Sequence, residues 1–223
     1  MTYRPQLKIC GVTNGPDARL VTQSGADYCG VLVNVGFSER SLPVGEAREV
    51  AAASGVKVVV LLCDPPVELV EQVAREISPH AVQLLCHESP DLIRALRARV
   101  TCEIWKTLHL PAATTEDYVA AGVDAFLLDS SDSSEGFLRL GGTGKVIDWG
   151  QAAAAIQQIS KPVFLAGGIN PDNVASALFQ VRPYGIDLCS GVELTKGRKD
   201  PEKIRRLVGN FSAAVDKIEE SAR

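Results

Sequence analysis

Eight short runs of aliphatic and β-branched residues recur along this chain, and a helical pattern follows each of them. This alternation is typical of parallel strand–helix units. The sequence predicts strands over residues 7–10, 28–33, 56–62, 81–85, 102–106, 124–129, 162–165 and 185–189. It predicts helices over residues 16–24, 44–54, 66–78, 90–99, 115–121, 149–159, 171–180 and 201–218. Three helix starts carry a capping residue followed by proline: Ser89-Pro90, Asn170-Pro171 and Asp200-Pro201.

Most of these strands are apolar on both faces, as strands between a barrel interior and a helix layer must be. Eight units in 223 residues favour a (β/α)8 TIM barrel over an open doubly wound sheet. No linker or low-complexity tract interrupts the series. We therefore expect a single α/β barrel domain spanning residues 1–223.

Composition and charge exclude several classes of partner. The net charge of −4 argues against nucleic acid and against a membrane surface. No run of about 18 apolar residues is present, and the first residues lack the apolar region of a signal peptide. We expect a cytoplasmic protein.

The six cysteines stand at wide spacings, without a Cys-x-x-Cys pair, and most lie in apolar runs. This usage is typical of a reducing compartment and offers no zinc-ligand spacing. The three histidines, His80, His87 and His109, do not pair at helical spacing. The sequence predicts reduced thiols and no bound metal.

Functional residues of such barrels lie at the carboxyl ends of the strands and in the loops that follow. The first predicted strand ends on Cys10, the sixth ends on Asp129, and the loop after the second holds Arg40. Each has a structural alternative: an isolated cysteine is more often a small buried hydrophobe, Asp129 can cap a turn, and Arg40 can be a solvated loop charge.

Small residues follow the last two strands, as Gly167-Gly168 and Ser190-Gly191. Backbone N–H groups can approach an anion closely at such turns, and loops after strands seven and eight often hold a phosphate. We favour a phosphate site over two tight turns.

The segment from Gly141 to Lys145 superficially resembles a P-loop, but Arg139 and Val146 break the required pattern. We interpret it as a loop that closes over a ligand.

Taken together, these segments resemble the phosphoribosylanthranilate isomerase family, in order from residue 7 to about residue 204. The matching segments are Lys8-Ile9-Cys10-Gly11-Val12-Thr13-Asn14, Gly25-Ala26-Asp27, Phe126-Leu127-Leu128-Asp129-Ser130, Gly141-Gly142-Thr143-Gly144-Lys145 with Asp148-Trp149, Ala166-Gly167-Gly168-Ile169-Asn170-Pro171-Asp172-Asn173-Val174, and Ser190-Gly191-Val192-Glu193 with Lys199-Asp200. Each is weak alone, and their combination is specific.

The resemblance implies a (β/α)8 barrel that catalyses an Amadori rearrangement in tryptophan biosynthesis, converting N-(5'-phosphoribosyl)anthranilate into a 1-deoxyribulose 5-phosphate product. It implies Cys10 as the general base and Asp129 as the general acid, with no metal or cofactor. It implies that the substrate-binding residues are Lys8, Arg40, Gln83, Gly142, Gly144, Gly167, Gly168, Ser190 and Gly191, with Arg40 on the anthranilate carboxylate.

This chemistry requires the pKa values of the two catalytic groups to move in opposite directions. Lys8, on the same face of the strand as Cys10, is expected to make that cysteine partly a thiolate. Lys8 could instead pair with a carboxylate in the barrel. Burial at the end of an apolar strand is expected to keep a proton on Asp129.

The chain also departs from the family pattern. Around strand four the family usually reads Val-Gln-Leu-His-Gly, and here Leu85 and Cys86 replace the last two residues. The segment before Arg40 has also changed, and Cys189 stands where a small residue is usual. Two alternatives therefore stay open: a divergent enzyme acting on another phosphorylated sugar or aminosugar, and a non-catalytic barrel that binds a phosphorylated ligand. The sequence allows a monomer or a homodimer.

Overall fold

The computed structural model of this chain describes residues 3–109, 115–129, 131–132, 139–140 and 148–221. Eight parallel strands form its central sheet, and β1 pairs with both β2 and β8, which closes the sheet into a barrel. In chain order the strands β1 to β8 are Gln6–Ile9, Tyr28–Val33, Lys57–Leu62, Ala81–Leu84, Glu103–His109, Ala125–Asp129, Val163–Leu165 and Gly185–Leu188. The predicted (β/α)8 barrel is confirmed.

A helix follows each strand. In chain order α1 to α8 are Gly15–Ser24, Val44–Ala52, Val67–Ile77, Pro90–Arg97, Glu116–Ala121, Trp149–Gln158, Val174–Val181 and Pro201–Glu220. Two of the predicted proline starts are confirmed: the Ser89 hydroxyl accepts a hydrogen bond from the Leu92 N–H, and the Asp200 carboxylate accepts from the first turn of α8.

The predicted start of α7 at Pro171 is wrong, because this helix begins at Val174. Asn170 and Asn173 exchange hydrogen bonds, each backbone N–H donating to the other residue's side-chain oxygen at 2.8 and 3.2 Å. This closed turn satisfies backbone groups that a helix would otherwise use. The residues after β7 therefore form a braced loop at the carboxyl end of the barrel.

Several short elements decorate that same end. Ser41–Leu42 adds a parallel pair to β2, Ser190–Val192 is a single 3-10 turn after β8, and Glu193–Thr195 pairs with Arg198–Lys199 as an antiparallel hairpin before α8. Ser131–Asp132 and Arg139–Leu140 form a further antiparallel pair after β6. These additions build up the rim on which the predicted site residues lie.

The core has two layers, one between the strands and the helices and one inside the barrel. Aromatic rings fill the barrel interior: Trp105 stacks on Phe164 with ring centroids 4.8 Å apart, and Tyr28 meets both rings edge-on. Burying large aromatic side chains is a major source of stability.

No helix in the described ranges is both long enough and apolar enough to span a membrane.

The prediction that the cysteines are reduced thiols is wrong for two of them. Cys63 and Cys86 form a disulfide, although 23 positions separate them in the sequence. β3 and β4 are neighbours, and their register places Leu62 opposite Leu84, so the residues just beyond both strand ends lie side by side. The sequence spacing could not reveal this pairing because it depends on the strand register. Cys10, Cys29, Cys102 and Cys189 are free.

Candidate active site

The two predicted catalytic residues lie at the carboxyl end of the barrel, on strands that are not neighbours. Cys10 directly follows β1, where its N–H donates to the Leu188 carbonyl at 2.8 Å, and Asp129 is the last residue of β6. In the closed sheet β7 and β8 lie between β1 and β6. The half-buried Asp129 carboxyl and the buried Cys10 thiol therefore approach the barrel mouth from different sides.

The surroundings of Cys10 favour the neutral thiol over the thiolate. Burial raises its pKa to about 12, against the opposing effect of the Lys8 and Lys199 charges, and the nearby Asp187 and Cys189 raise it further. Lys8 is fully buried, and its Nζ lies 2.9 Å from Asp187 Oδ1. Burial is the largest cause of the raised pKa of Cys10, and Asp187 also balances the Lys8 charge that was expected to favour the thiolate, so the partly ionised Cys10 stays a prediction.

Asp187 was missed in the sequence, although β8 is one of the predicted strands. It lies directly opposite Lys8 in the β1–β8 register. Burial acts to lower the pKa of Lys8, but the Asp187 and Cys10 side chains outweigh it, so the pKa is raised and Lys8 stays charged. The structural alternative for Lys8, pairing with a carboxylate in the barrel, is therefore correct.

Arg40 forms a bidentate ion pair with Glu193. Its Nε donates to Oε1 at 2.8 Å and its Nη2 donates to Oε2 at 2.6 Å. Its stem passes so close to Gly11 that a Cβ there would lie 2.7 Å from Arg40 Cδ and 2.5 Å from Cys189 Sγ. Gly11 has a φ of +69°, which glycine adopts readily. These contacts place Arg40 beside the residue that follows Cys10.

Glu193 also links Arg40 to Lys199, which is buried. Its Oε1 also accepts from Lys199 Nζ at 3.2 Å and from the Gly197 N–H at 3.2 Å. Burial alone would raise the pKa of Glu193, but the hydrogen bonds and charges of Arg40 and Lys199 lower it to about 2. Lys199 Nζ in turn donates to the Cys10 carbonyl at 2.6 Å. A connected row of charges therefore fixes the backbone at Cys10.

The two glycine-containing loops meet, as the sequence predicts. Gly167 and Gly168 follow β7 with φ values of +84° and +65°, and the Asn173 amide donates to the Gly168 carbonyl at 2.9 Å. A Cβ on Gly191 would lie 2.1 Å from the Ile169 carbonyl oxygen, so only glycine allows this approach. Ser190, at the start of the same turn, is exposed.

Gln83 lies inside the barrel on β4, where its Nε2 donates to Thr107 Oγ1 at 3.0 Å. Its amide oxygen is buried and has no hydrogen-bond partner among the described residues. Leu85, two positions further on, packs against the interior cluster. The remaining predicted binding residues, Gly142 and Gly144, lie outside the described residues, as does the rest of the 141–145 segment.

His109 was missed as a site residue because β5 extends three residues beyond its predicted end. It lies opposite Asp129 in the β5–β6 register. Both ring nitrogens are buried. Burial lowers the pKa of His109, so a neutral imidazole lies beside the predicted acid. The β-branched Thr107 and the apolar Leu108, just beyond the predicted end, are the signal that could have extended the strand.

Cys63, Asp64 and Cys86 are the one cluster of possible metal ligands found in the described ranges, with ligand atoms within 4.8 Å of one another. The two sulfurs are bonded to each other, so in this structure neither is a thiolate ligand.

The closed barrel and its strand-end residues place this chain in the class of (β/α)8-barrel enzymes. The sequence matches the family described as N-(5'phosphoribosyl)anthranilate (PRA) isomerase over residues 7–210, and the chain belongs to that family. It is 37% identical to the N-(5'-phosphoribosyl)anthranilate isomerase of Halorubrum lacusprofundi, over 95% of this chain and 98% of that protein.

Solved structures agree with this assignment. The chain superposes on phosphoribosyl anthranilate isomerase from Thermus thermophilus with a TM-score of 0.80 and 30% identity, covering 93% of this chain and 98% of that one. A second similar structure is a phosphoribosyl anthranilate isomerase in complex with reduced 1-(o-carboxyphenylamino)-1-deoxyribulose 5-phosphate, with a TM-score of 0.76 and 28% identity, covering 94% of this chain and 100% of that one. Family membership makes the chain an isomerase of tryptophan biosynthesis.

Proposed function

We propose that this chain isomerises N-(5'-phosphoribosyl)anthranilate on a single barrel domain spanning residues 1–223, with Cys10 as general base and Asp129 as general acid. The supporting observation is the position of these two side chains on non-adjacent strand ends at one mouth. An Amadori rearrangement needs a proton delivered to the furanose ring oxygen and a proton removed from the neighbouring carbon. Two groups on separate sides of the mouth can act on those two positions.

Asp129 gives its proton to the ring oxygen, and the ring opens to a Schiff base. Cys10 then removes the proton from the neighbouring carbon, which requires the thiolate. The charges of Lys8 and Lys199 lower the pKa of Cys10, while burial and Asp187 raise it. The opposing charges of Lys8 and Asp187 therefore help to set the pKa of Cys10, and with it the fraction of Cys10 that is thiolate.

The two ends of the substrate are held by different parts of the rim. The loops of Gly167, Gly168, Ser190 and Gly191 bind the phosphate through backbone N–H groups. Arg40 binds the anthranilate carboxylate: Glu193 holds its Nε and Nη2, and its Nη1 makes no hydrogen bond to a described residue. Gln83 offers its buried amide oxygen between these ends, and Gly142 and Gly144 contribute from the loop after β6.

One observation favours the alternative of a changed substrate. Leu85 and the Cys63–Cys86 disulfide lie at the barrel mouth, where Leu85 and Cys86 replace the residues usual in the family. The test uses anthranilate fluorescence: purified protein is mixed with N-(5'-phosphoribosyl)anthranilate, and loss of the substrate emission is followed. Enzyme-dependent loss supports the proposed reaction. An unchanged emission at high enzyme concentration would instead assign the site to another phosphorylated sugar or aminosugar.

We further propose that the enzyme works in the cytoplasm on a phosphorylated small molecule, as a monomer or homodimer, without nucleic-acid or membrane partners and without a metal or cofactor. The net charge of −4 supports the exclusion of polyanionic partners.

A further inference from the structure

The Cys63–Cys86 disulfide joins two neighbouring loops at the barrel mouth. Cys63 directly follows β3, and Cys86 comes two residues after β4. Cys63 and Leu85 pack against the cluster that fills the barrel interior. In a closed ring of eight strands β3 and β4 stand opposite β7 and β8. The disulfide therefore lies across the mouth from the glycine loops.

A non-covalent framework holds the two loops together independently of the disulfide. The buried Glu88 carboxylate accepts from the Cys86 N–H at 2.9 and 3.1 Å and from the Asp64 N–H at 2.9 Å. Lys106 Nζ lies 3.0 Å from Glu88 Oε2 and donates to the Cys86 carbonyl at 2.8 Å. Asp64 Oδ1 accepts from the His87 N–H at 2.8 Å. The sulfurs therefore remain adjacent when the bond between them is broken.

The bridge is also accessible from solvent. Cys63 is half-buried and the neighbouring Asp64 is exposed, whereas Cys86 is 7% exposed. Of the two bridged cysteines, Cys63 is therefore the more exposed to an incoming thiolate. Burial raises the pKa of each of the four free cysteines, Cys10, Cys29, Cys102 and Cys189, which makes them poor partners in thiol exchange.

We propose that Cys63 and Cys86 form a reversible dithiol/disulfide couple whose state sets how tightly the mouth binds the non-phosphate end of the substrate. This inference rests on the proposed function. The reductant is a small dithiol: one of its thiolates bonds to the Cys63 sulfur, and the electron pair of the broken bond leaves on the Cys86 sulfur, which takes up a proton. The second thiol of the reductant then displaces Cys63 and leaves as a cyclic disulfide, so two electrons and two protons pass to the protein.

The disulfide form binds substrate more tightly. Breaking the bond moves the two sulfurs from bonding distance to van der Waals separation, and the half-buried Cys63 is less enclosed than the buried Cys86. The two cysteine side chains also gain rotamer freedom that substrate binding must then remove, although the hydrogen bonds of Glu88 still hold the backbone of both loops. Both effects weaken binding without touching Cys10 or Asp129. We expect a KM at least about fivefold higher for the dithiol form, with a smaller change in kcat.

The test equilibrates purified protein in buffers of defined ratios of reduced to oxidised dithiothreitol. Alkylation and peptide mass spectrometry report the thiols, while anthranilate fluorescence reports KM and kcat. We expect the four cysteines outside the bridge to be free thiols throughout and only Cys63 and Cys86 to change state reversibly. The double variant Cys63→Ser, Cys86→Ser is expected to have the KM of the dithiol form at every ratio. The control Cys102→Ser leaves the bridge intact, and we expect its KM to depend on the dithiothreitol ratio as in the wild-type protein.

Three results would overturn the inference: equal KM values in both states, a bridge that cannot be reduced and reformed in the folded protein, or a double variant that still responds to the dithiol. Absence of turnover in both states would contradict the proposed function instead. In that case, reduced 1-(o-carboxyphenylamino)-1-deoxyribulose 5-phosphate is used as the ligand, and its quenching of the protein fluorescence gives the affinity of the disulfide form and of the dithiol form. Equal affinities would contradict the proposed effect of the disulfide on binding.

Discussion

Arg40 and Glu193 face each other in a bidentate ion pair at the rim of the barrel, with N–O distances of 2.8 and 2.6 Å. The two residues come from opposite ends of the chain, the loop after β2 and the hairpin before α8. Charge-assisted pairs of this geometry fix direction as well as distance. Glu193 therefore fixes the direction of the Arg40 guanidinium, and we propose that Arg40 presents its remaining donors to the carboxylate of the substrate.

Replacing Arg40 tests the carboxylate assignment. A charge-assisted contact contributes about 1.5–3 kcal/mol, so we expect Arg40→Ala to raise KM for N-(5'-phosphoribosyl)anthranilate roughly tenfold or more, with a smaller effect on kcat. Arg48→Ala, on the exposed face of α2, serves as the matched control for loss of a positive charge. An unchanged KM in the Arg40 variant would remove Arg40 from the binding site.

Glu193→Gln tests the positioning role. The amide keeps the shape of the side chain, but only its oxygen can accept from the guanidinium, so the direction of Arg40 is less well fixed. We expect KM to rise by about threefold to tenfold while kcat stays within about twofold of the unchanged enzyme. Steady-state kinetics on both variants check this. A fall in kcat at constant KM would mean that Glu193 acts on the chemical step instead.

The acid stability of the protein should depend on Glu193. Its pKa falls from the usual 4.5 to about 2 on folding, so the unfolded chain binds this proton more readily. The stabilisation is present above pH 4.5 and is lost as the pH falls through about 2. We expect the difference in urea midpoint between the unchanged protein and Glu193→Gln to shrink across that window. A pH-independent difference would show that the carboxylate charge does not contribute.

The approach of the glycine loops can be tested at Gly191. A methyl group there would lie 2.1 Å from the Ile169 carbonyl oxygen and must push the two loops apart. We expect inorganic phosphate to inhibit competitively, and Gly191→Ala to weaken both phosphate inhibition and substrate binding by about tenfold or more. Gly209→Ala is the control, since nothing lies within 4 Å of the added carbon. Equal phosphate inhibition in both variants would contradict the phosphate assignment.

The barrel could be predicted from the sequence because the strand–helix alternation is local and each unit carries its own signal. The charges around Cys10 could not, because they depend on register: Asp187 meets Lys8 only through the pairing of β1 with β8. The same limit hid the Cys63–Cys86 disulfide between β3 and β4. The start of α7 was wrong for a local reason, since the side chains of Asn170 and Asn173 close a turn that competes with the helix.

We propose that Cys10 and Asp129 transfer the two protons of the isomerisation. The most direct measurement is kcat of Cys10→Ser and Asp129→Asn in the anthranilate fluorescence assay, with Cys102→Ser as a control for loss of a thiol. General acid–base groups contribute about a hundredfold or more, so we predict at least that loss of kcat in each of the two variants and none in the control. Near-normal kcat in both Cys10→Ser and Asp129→Asn would show that neither Cys10 nor Asp129 transfers a proton in the reaction.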